Sequence, residues 1–143
     1  MRALLRLLAL LATTALLHAP SASAADPAVS KNRLVLQVAD DGAKKWAHVL
    51  GNVRNIQAEL GRQNVDIEVV VHGDGIGMLT EDTPVANDVL DAMAAGVRFV
   101  ACRNTMKARK LSPDDMVKGI GYANAGLVEI VQRQQQGWTY LRP

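Results

Sequence analysis

The sequence predicts a single α/β domain whose sheet is mostly parallel. From Arg33 onward, short β-branched runs alternate with stretches of helical apolar spacing. Glycines and prolines stand between the two kinds of segment, where they end one element and let the chain turn into the next. A length of 143 residues, 49% hydrophobic and 21% charged, suits one domain with a real core. Strands that alternate with helices pair in parallel, because each helix carries the chain back to the end of the sheet where the next strand begins.

Residues 1–24 stand outside this pattern and have the layout of a secretory leader. Arg2 and Arg6 form a charged start, Leu7 to Leu17 an apolar run, and Ala22-Ser23-Ala24 a small-x-small cleavage site. The run is shorter than the roughly 20 apolar residues of a spanning helix, so cleavage after Ala24 and no lasting membrane insertion are expected. The predicted location is the periplasm. Residues 25–32 read as a flexible lead-in and residues 33–143 as the folded domain.

The first strand is Arg33 to Val38, ended by Asp40-Asp41-Gly42. Trp46, Val49, Leu50, Val53, Ile56 and Leu60 then recur at helical spacing, and Gly61 stops that helix. Asp66 to His72 is the second strand, followed by the loop Gly73-Asp74-Gly75-Ile76-Gly77. Thr83-Pro84 reads as a helix cap with proline in the first turn, and Val85, Val89, Leu90 and Met93 as the buried stripe up to Gly96. Val97 to Ala101 is the third strand, with Cys102 at its carboxyl end. Arg103 to Lys110 suits a short helix, and Ser112-Pro113-Asp114-Asp115 a capped turn. Val117 to Tyr122 is a weak fourth strand. Asn124 to Gln136 is the last helix, with Leu127, Ile130 and Val131 expected inward, and Trp138 to Leu141 is a fifth, short strand.

Composition removes several function classes. The chain carries 16 Lys+Arg against 14 Asp+Glu; Arg2 and Arg6 leave with the leader and take no acid with them, so the remainder is balanced. With 3% aromatic residues there is neither a basic footprint nor a stacking platform for nucleic acid. The glycine loop after the second strand has the wrong spacing and position for a dinucleotide, and no Cys or His pair has zinc spacing, so no cofactor and no metal are expected.

In parallel α/β sheets ligands bind at the carboxyl ends of the strands. The residues there are Asp40 and Asp41, His72 through Gly77, Cys102 through Thr105, and Tyr122 through Asn124. Asp40 and Asp41 read first as turn formers, and His72 as a structural histidine placed where it can touch a site. Cys102 gathers more signals. It is the single cysteine, so it cannot form an internal disulfide. It precedes a helix, whose free N–H groups favour a thiolate, and Arg103, Lys107, Arg109 and Lys110 follow with no acid among them. The opposing reading is a buried, inert thiol at the end of a core strand.

The segment Val100-Ala101-Cys102-Arg103-Asn104-Thr105-Met106 resembles the Cys-x-Asn-Thr motif of the DsrE/DsrF-like family. Further matches are Gln37-Val38-Ala39-Asp40-Asp41, Val70-Val71-His72-Gly73 and the ending Gln135 to Pro143. The resemblance covers nearly all of the chain after the leader. It implies a flavodoxin-like, three-layer domain with a mostly parallel five-stranded sheet that assembles into homo-oligomers. In sulfur-relay members a cysteine at the position of Cys102 carries sulfur as a persulfide; Asn104 and Thr105 match the exported branch. Two functions follow. One is a periplasmic sulfur carrier that exchanges sulfane sulfur with donor and acceptor proteins or small sulfur compounds. There Cys102 reacts, and Arg103, Asn104, Thr105, His72, Gly73 and Asp40 support it. The other is a non-catalytic oligomeric binding or assembly domain with an incidental cysteine.

Overall fold

The computed structural model describes residues 31–143; the leader and all but the end of the lead-in lie outside the described residues. The chain runs β1 (Asn32–Val38), α1 (Ala43–Leu60), β2 (Val65–Val71), a 3-10 segment (Gly73–Leu79), α2 (Ala86–Ala94), β3 (Arg98–Cys102), α3 (Arg103–Ala108), β4 (Gly121–Ala123), α4 (Gly126–Gln135) and β5 (Thr139–Leu141). Among the described residues the five strands all pair in parallel, in the order β4-β3-β2-β1-β5.

That order places the helices. From β1 to β4 each crossover steps the same way along the sheet, and right-handed crossovers put α1, α2 and α3 on one face. The return from β4 to β5 runs the other way and carries α4 to the opposite face. Alternation along the strands sorts the side chains accordingly. Leu36, Val38, Val69, Val71, Phe99 and Ala101 pack with Trp46, Leu50, Val89 and Met106 in the larger core. Val35, Val70, Val100 and Ala123 pack with Ile130 and Trp138 under α4.

Three expectations are corrected. The second helix starts at Ala86 with no side-chain cap. Its seam is Val85, Val89 and Ala92, and Leu90, about 100° further round the helix, is exposed. The fourth strand is confined to Gly121–Ala123, because Val117 and Ile120 spend their apolar surface on the larger core as loop residues. In α4 only Ile130 of the three expected residues faces the sheet, while Leu127 and Val131 are 58% and 50% exposed. Arg133 holds the inward stripe one turn beyond Ile130, drawn there by Glu68 of β2, whose side chain is 1% exposed. Arg133 bonds Glu68 at 2.9 and 2.8 Å, Arg98 reaches it at 3.0 Å, and both guanidinium groups lie over Trp138.

Candidate functional site

β3 and β4 are neighbours whose chains leave toward opposite faces, β3 into α3 and β4 into α4. Their carboxyl ends are therefore the topological position at which parallel α/β sheets bind ligands. Cys102 is the last residue of β3 and pairs with Ala123. Its side chain turns to the α4 face, as those of Val100 and Val70 do. Two helices thus begin beside one sulfur.

The start of α4 comes close because Gly126 has no side chain. A Cβ there would meet those of His72 and Cys102 at 3.2 and 3.3 Å, tighter than ordinary contact. The Gly126 N–H donates to Cys102 Sγ at 3.2 Å. On the other side, Thr105 Oγ1 accepts the Gly73 N–H at 3.0 Å, which leaves its own proton to donate to the sulfur. Gly73 has φ +58, a conformation suited to glycine, and this turns the chain after His72 toward Thr105.

Burial by itself pushes the Cys102 thiol up, since a charged sulfur loses water; Cys102 is 5% exposed. The Thr105 hydroxyl and the N–H groups of Gly126, Thr105 and Asn104 outweigh burial, and the thiol ionises below its ordinary value. The cations expected to do this play no such part. Arg103 lies over the Tyr122 ring at 4.9 Å, and Arg109 pairs with Asp74. Hydrogen-bond donors fixed by the backbone, rather than neighbouring charges, stabilise the thiolate.

His72 is the next residue after Val71 and Cys102 the next after Ala101, which are paired in register, so their Cβ atoms are neighbours, both within 3.3 Å of where a Gly126 Cβ would stand. Burial, then the Arg142 charge, hold His72 below its ordinary value. His72 Nε2 meets Gln37 Nε2 at 2.8 Å, and Gln37 Oε1 accepts from the Tyr140 hydroxyl. Asp40 sits further out, paired with Lys45 at 4.0 Å and Arg142 at 3.5 Å, and touches the site through Arg142 alone.

Of the residues expected from sequence, Cys102, Thr105, His72 and Gly73 converge, Asn104 contributes its backbone, and Arg103 and Asp40 stand at the rim. Gly126, Gln37, Tyr140 and Arg142 were missed as site residues. Gly126 had a signal: a glycine in the opening turn of a helix marks close approach. Gln37 had one too, as a polar residue in an apolar strand. A cavity of about 450 Å³ at the end of β1, lined by Gln37, Asp40, Lys44, Lys45 and His48 among others, does not reach Cys102.

The profile of the DsrE/DsrF-like family matches residues 12–143. Among solved structures, the chain is similar to the protein of unknown function MTH1491 from Methanobacterium thermoautotrophicum. The two share 36% identity at a TM-score of 0.76, over 79% of this chain and 100% of that one. The ychN protein from E. coli has the same fold at 16% identity and a TM-score of 0.64, over 79% and 99% of the two chains. A search of curated proteins finds no match.

Proposed function

Because the chain belongs to the DsrE/DsrF-like family, we propose that it is a periplasmic sulfur carrier that holds sulfane sulfur on Cys102. The observation that carries this reading is the sulfur itself. It is buried yet ionises below its ordinary value, because the Thr105 hydroxyl and nearby backbone N–H groups, that of Gly126 at 3.2 Å, favour its charged form. A thiolate so held is the nucleophile that thiol exchange requires, and the exchange needs little other machinery.

Loading begins when the Cys102 thiolate attacks the outer sulfur of a donor persulfide. A new S–S bond forms to Cys102, the donor's own S–S bond breaks, and the donor leaves as a thiolate that takes up the proton of the transferred sulfur. The product is a Cys102 persulfide anion, to which the same N–H groups remain available. Unloading repeats the step with an acceptor thiolate attacking the outer sulfur and Cys102 leaving.

Incubation of reduced protein with polysulfide tests this by intact mass. The expected result is a gain of whole sulfur atoms that reductant removes and Cys102→Ser lacks. An unchanged mass, with a thiol that alkylates only after unfolding, favours the non-catalytic binding or assembly domain, a reading that the burial of Cys102 supports.

Two further parts of the proposal concern place and assembly. The leader pattern of residues 1–24 supports export, and the recovered protein is expected to begin at Ala25. The outer face of α4 supports self-association. Leu127, Val128 and Val131 are 58%, 53% and 50% exposed, whereas Glu129 and Arg133 turn to each other and to Glu68. An uncharged, partly apolar helix face suits contact with its own copy. Sedimentation is expected to show an oligomer; a monomer across the micromolar range overturns this part.

A further inference from the structure

With its amide oxygen turned to Tyr140, Gln37 assigns the proton of His72 to one ring nitrogen. The Tyr140 hydroxyl bonds Gln37 Oε1, a carbonyl oxygen that can only accept, so the hydroxyl donates. The other end of the same amide, Gln37 Nε2, lies 2.8 Å from His72 Nε2, and an amide nitrogen can only donate. His72 Nε2 is therefore the acceptor, the ring proton is on Nδ1, and the lone pair of the neutral ring is taken. Protonating Nε2 would set two donors face to face.

We propose that Tyr140 and Gln37 are positioning residues that keep His72 neutral, so that Cys102 has no imidazolium partner. The inference rests on the sulfur-carrier reading for its purpose. A cysteine paired with a cationic histidine is ionised at nearly all pH values, but each such thiolate is a weaker nucleophile than one of a less acidic thiol, because intrinsic nucleophilicity falls with the thiol pKa. A carrier that must both take sulfur and release it gains from a thiol nearer ambient pH.

The surroundings of His72 agree with this. From the chain after β5, Arg142 disfavours a second positive charge there. From the end of β1, Asp40, which would favour one, is engaged by Arg142 and Lys45. β5 brings Tyr140, β3 brings Cys102, and α4 brings the uncharged Gly126. The tautomer is also fixed from β1 and β5, two strands that contribute no hydrogen bond to Cys102 among the described residues.

Gln37→Glu tests the assignment, because a carboxylate accepts where the amide donated. Nitrogen NMR of native protein is expected to show His72 neutral at pH 7 with the proton on Nδ1. In Gln37→Glu the proton moves to Nε2 and the His72 midpoint rises. The alkylation midpoint of Cys102 falls at the same time, by about one pH unit, as an imidazolium forms beside it. Opposite movement of the two midpoints is a result that simple loosening of the fold does not give. Should Gln37→Glu fail to fold, Tyr140→Phe at an exposed position frees the amide to turn over and is expected to give a mixture of the two tautomers. Native His72 protonated on Nε2, midpoints that stay put or move together in Gln37→Glu, or an unmixed tautomer in Tyr140→Phe overturns the proposal. Neither titration needs sulfur, so a protein that never loads sulfur sinks the carrier reading separately.

Discussion

The two ends of α4 hold negative charge in opposite ways. Near its carboxyl end, the Glu68 carboxylate is buried against two guanidinium groups, Arg98 at 3.0 Å and Arg133 at 2.8 Å. At its amino end, Cys102 is buried with no cation of the described residues upon it, and its charge is met by a hydroxyl and backbone N–H groups. The first arrangement ties a helix to a sheet and has no need to let go. The second must stabilise a charge while leaving the sulfur free to attack and to depart. Ion pairs serve anchorage; fixed dipoles serve exchange.

The largest expected effect breaks the anchor. Arg133→Met keeps the length of the side chain but leaves Glu68 buried beside Arg98 alone, and removing one partner of a buried pair costs about 3 to 5 kcal/mol. Urea unfolding should register that loss, while the Cys102 alkylation midpoint of the folded variant stays where it was. A midpoint that rises with the loss of stability would mean that the two ends are one device.

Gly126→Ala acts at the other end and should move both quantities. Its Cβ would crowd His72, Cys102 and Val70 at 3.2 to 3.3 Å. The cost is about 1 to 3 kcal/mol for overpacking. Because α4 must withdraw its N–H from the sulfur, the thiol midpoint is expected to rise. Thr105→Val, which keeps the shape of Thr105, is the sharper variant: it removes one donor to a charged group, and its midpoint should rise by about one pH unit. An alkylation profile of Thr105→Val that overlays the native one would return the explanation to the cations of α3.

The smallest effect is a pH dependence. Cys102 ionises below its ordinary value when folded and near about 8.5 when unfolded, so between those two midpoints the unfolded chain binds more protons. Stability from this group therefore rises with pH through that window, is complete above about 8.5, and is lost as pH falls through the folded midpoint. Denaturation of native protein and of Cys102→Ser across that range should diverge upward with pH. Parallel curves would mean that the folded thiol is not shifted.

Sequence alone determined the alternation of elements, the parallel sheet and the position of Cys102 at the end of β3, because these follow from local periodicity and from punctuation by glycine and proline. It also marked Thr105 and His72, since residues at strand ends gather at one edge of such a sheet whatever the strand order. It misplaced Leu127 and Val131, because apolar character does not say which face of α4 a buried carboxylate on β2 will claim. It credited Arg103 and its neighbours with lowering the thiol, because charges are visible in a sequence and aimed N–H groups are not. Only the tertiary structure decided that the return from β4 to β5 crosses the sheet. That crossing brings Gly126, distant along the chain, to within 3.2 Å of the sulfur. The physical reason is that a hydrogen bond to Cys102 depends on direction and on tenths of an ångström, and those are fixed by strand order and packing rather than by the identity of any neighbouring residue.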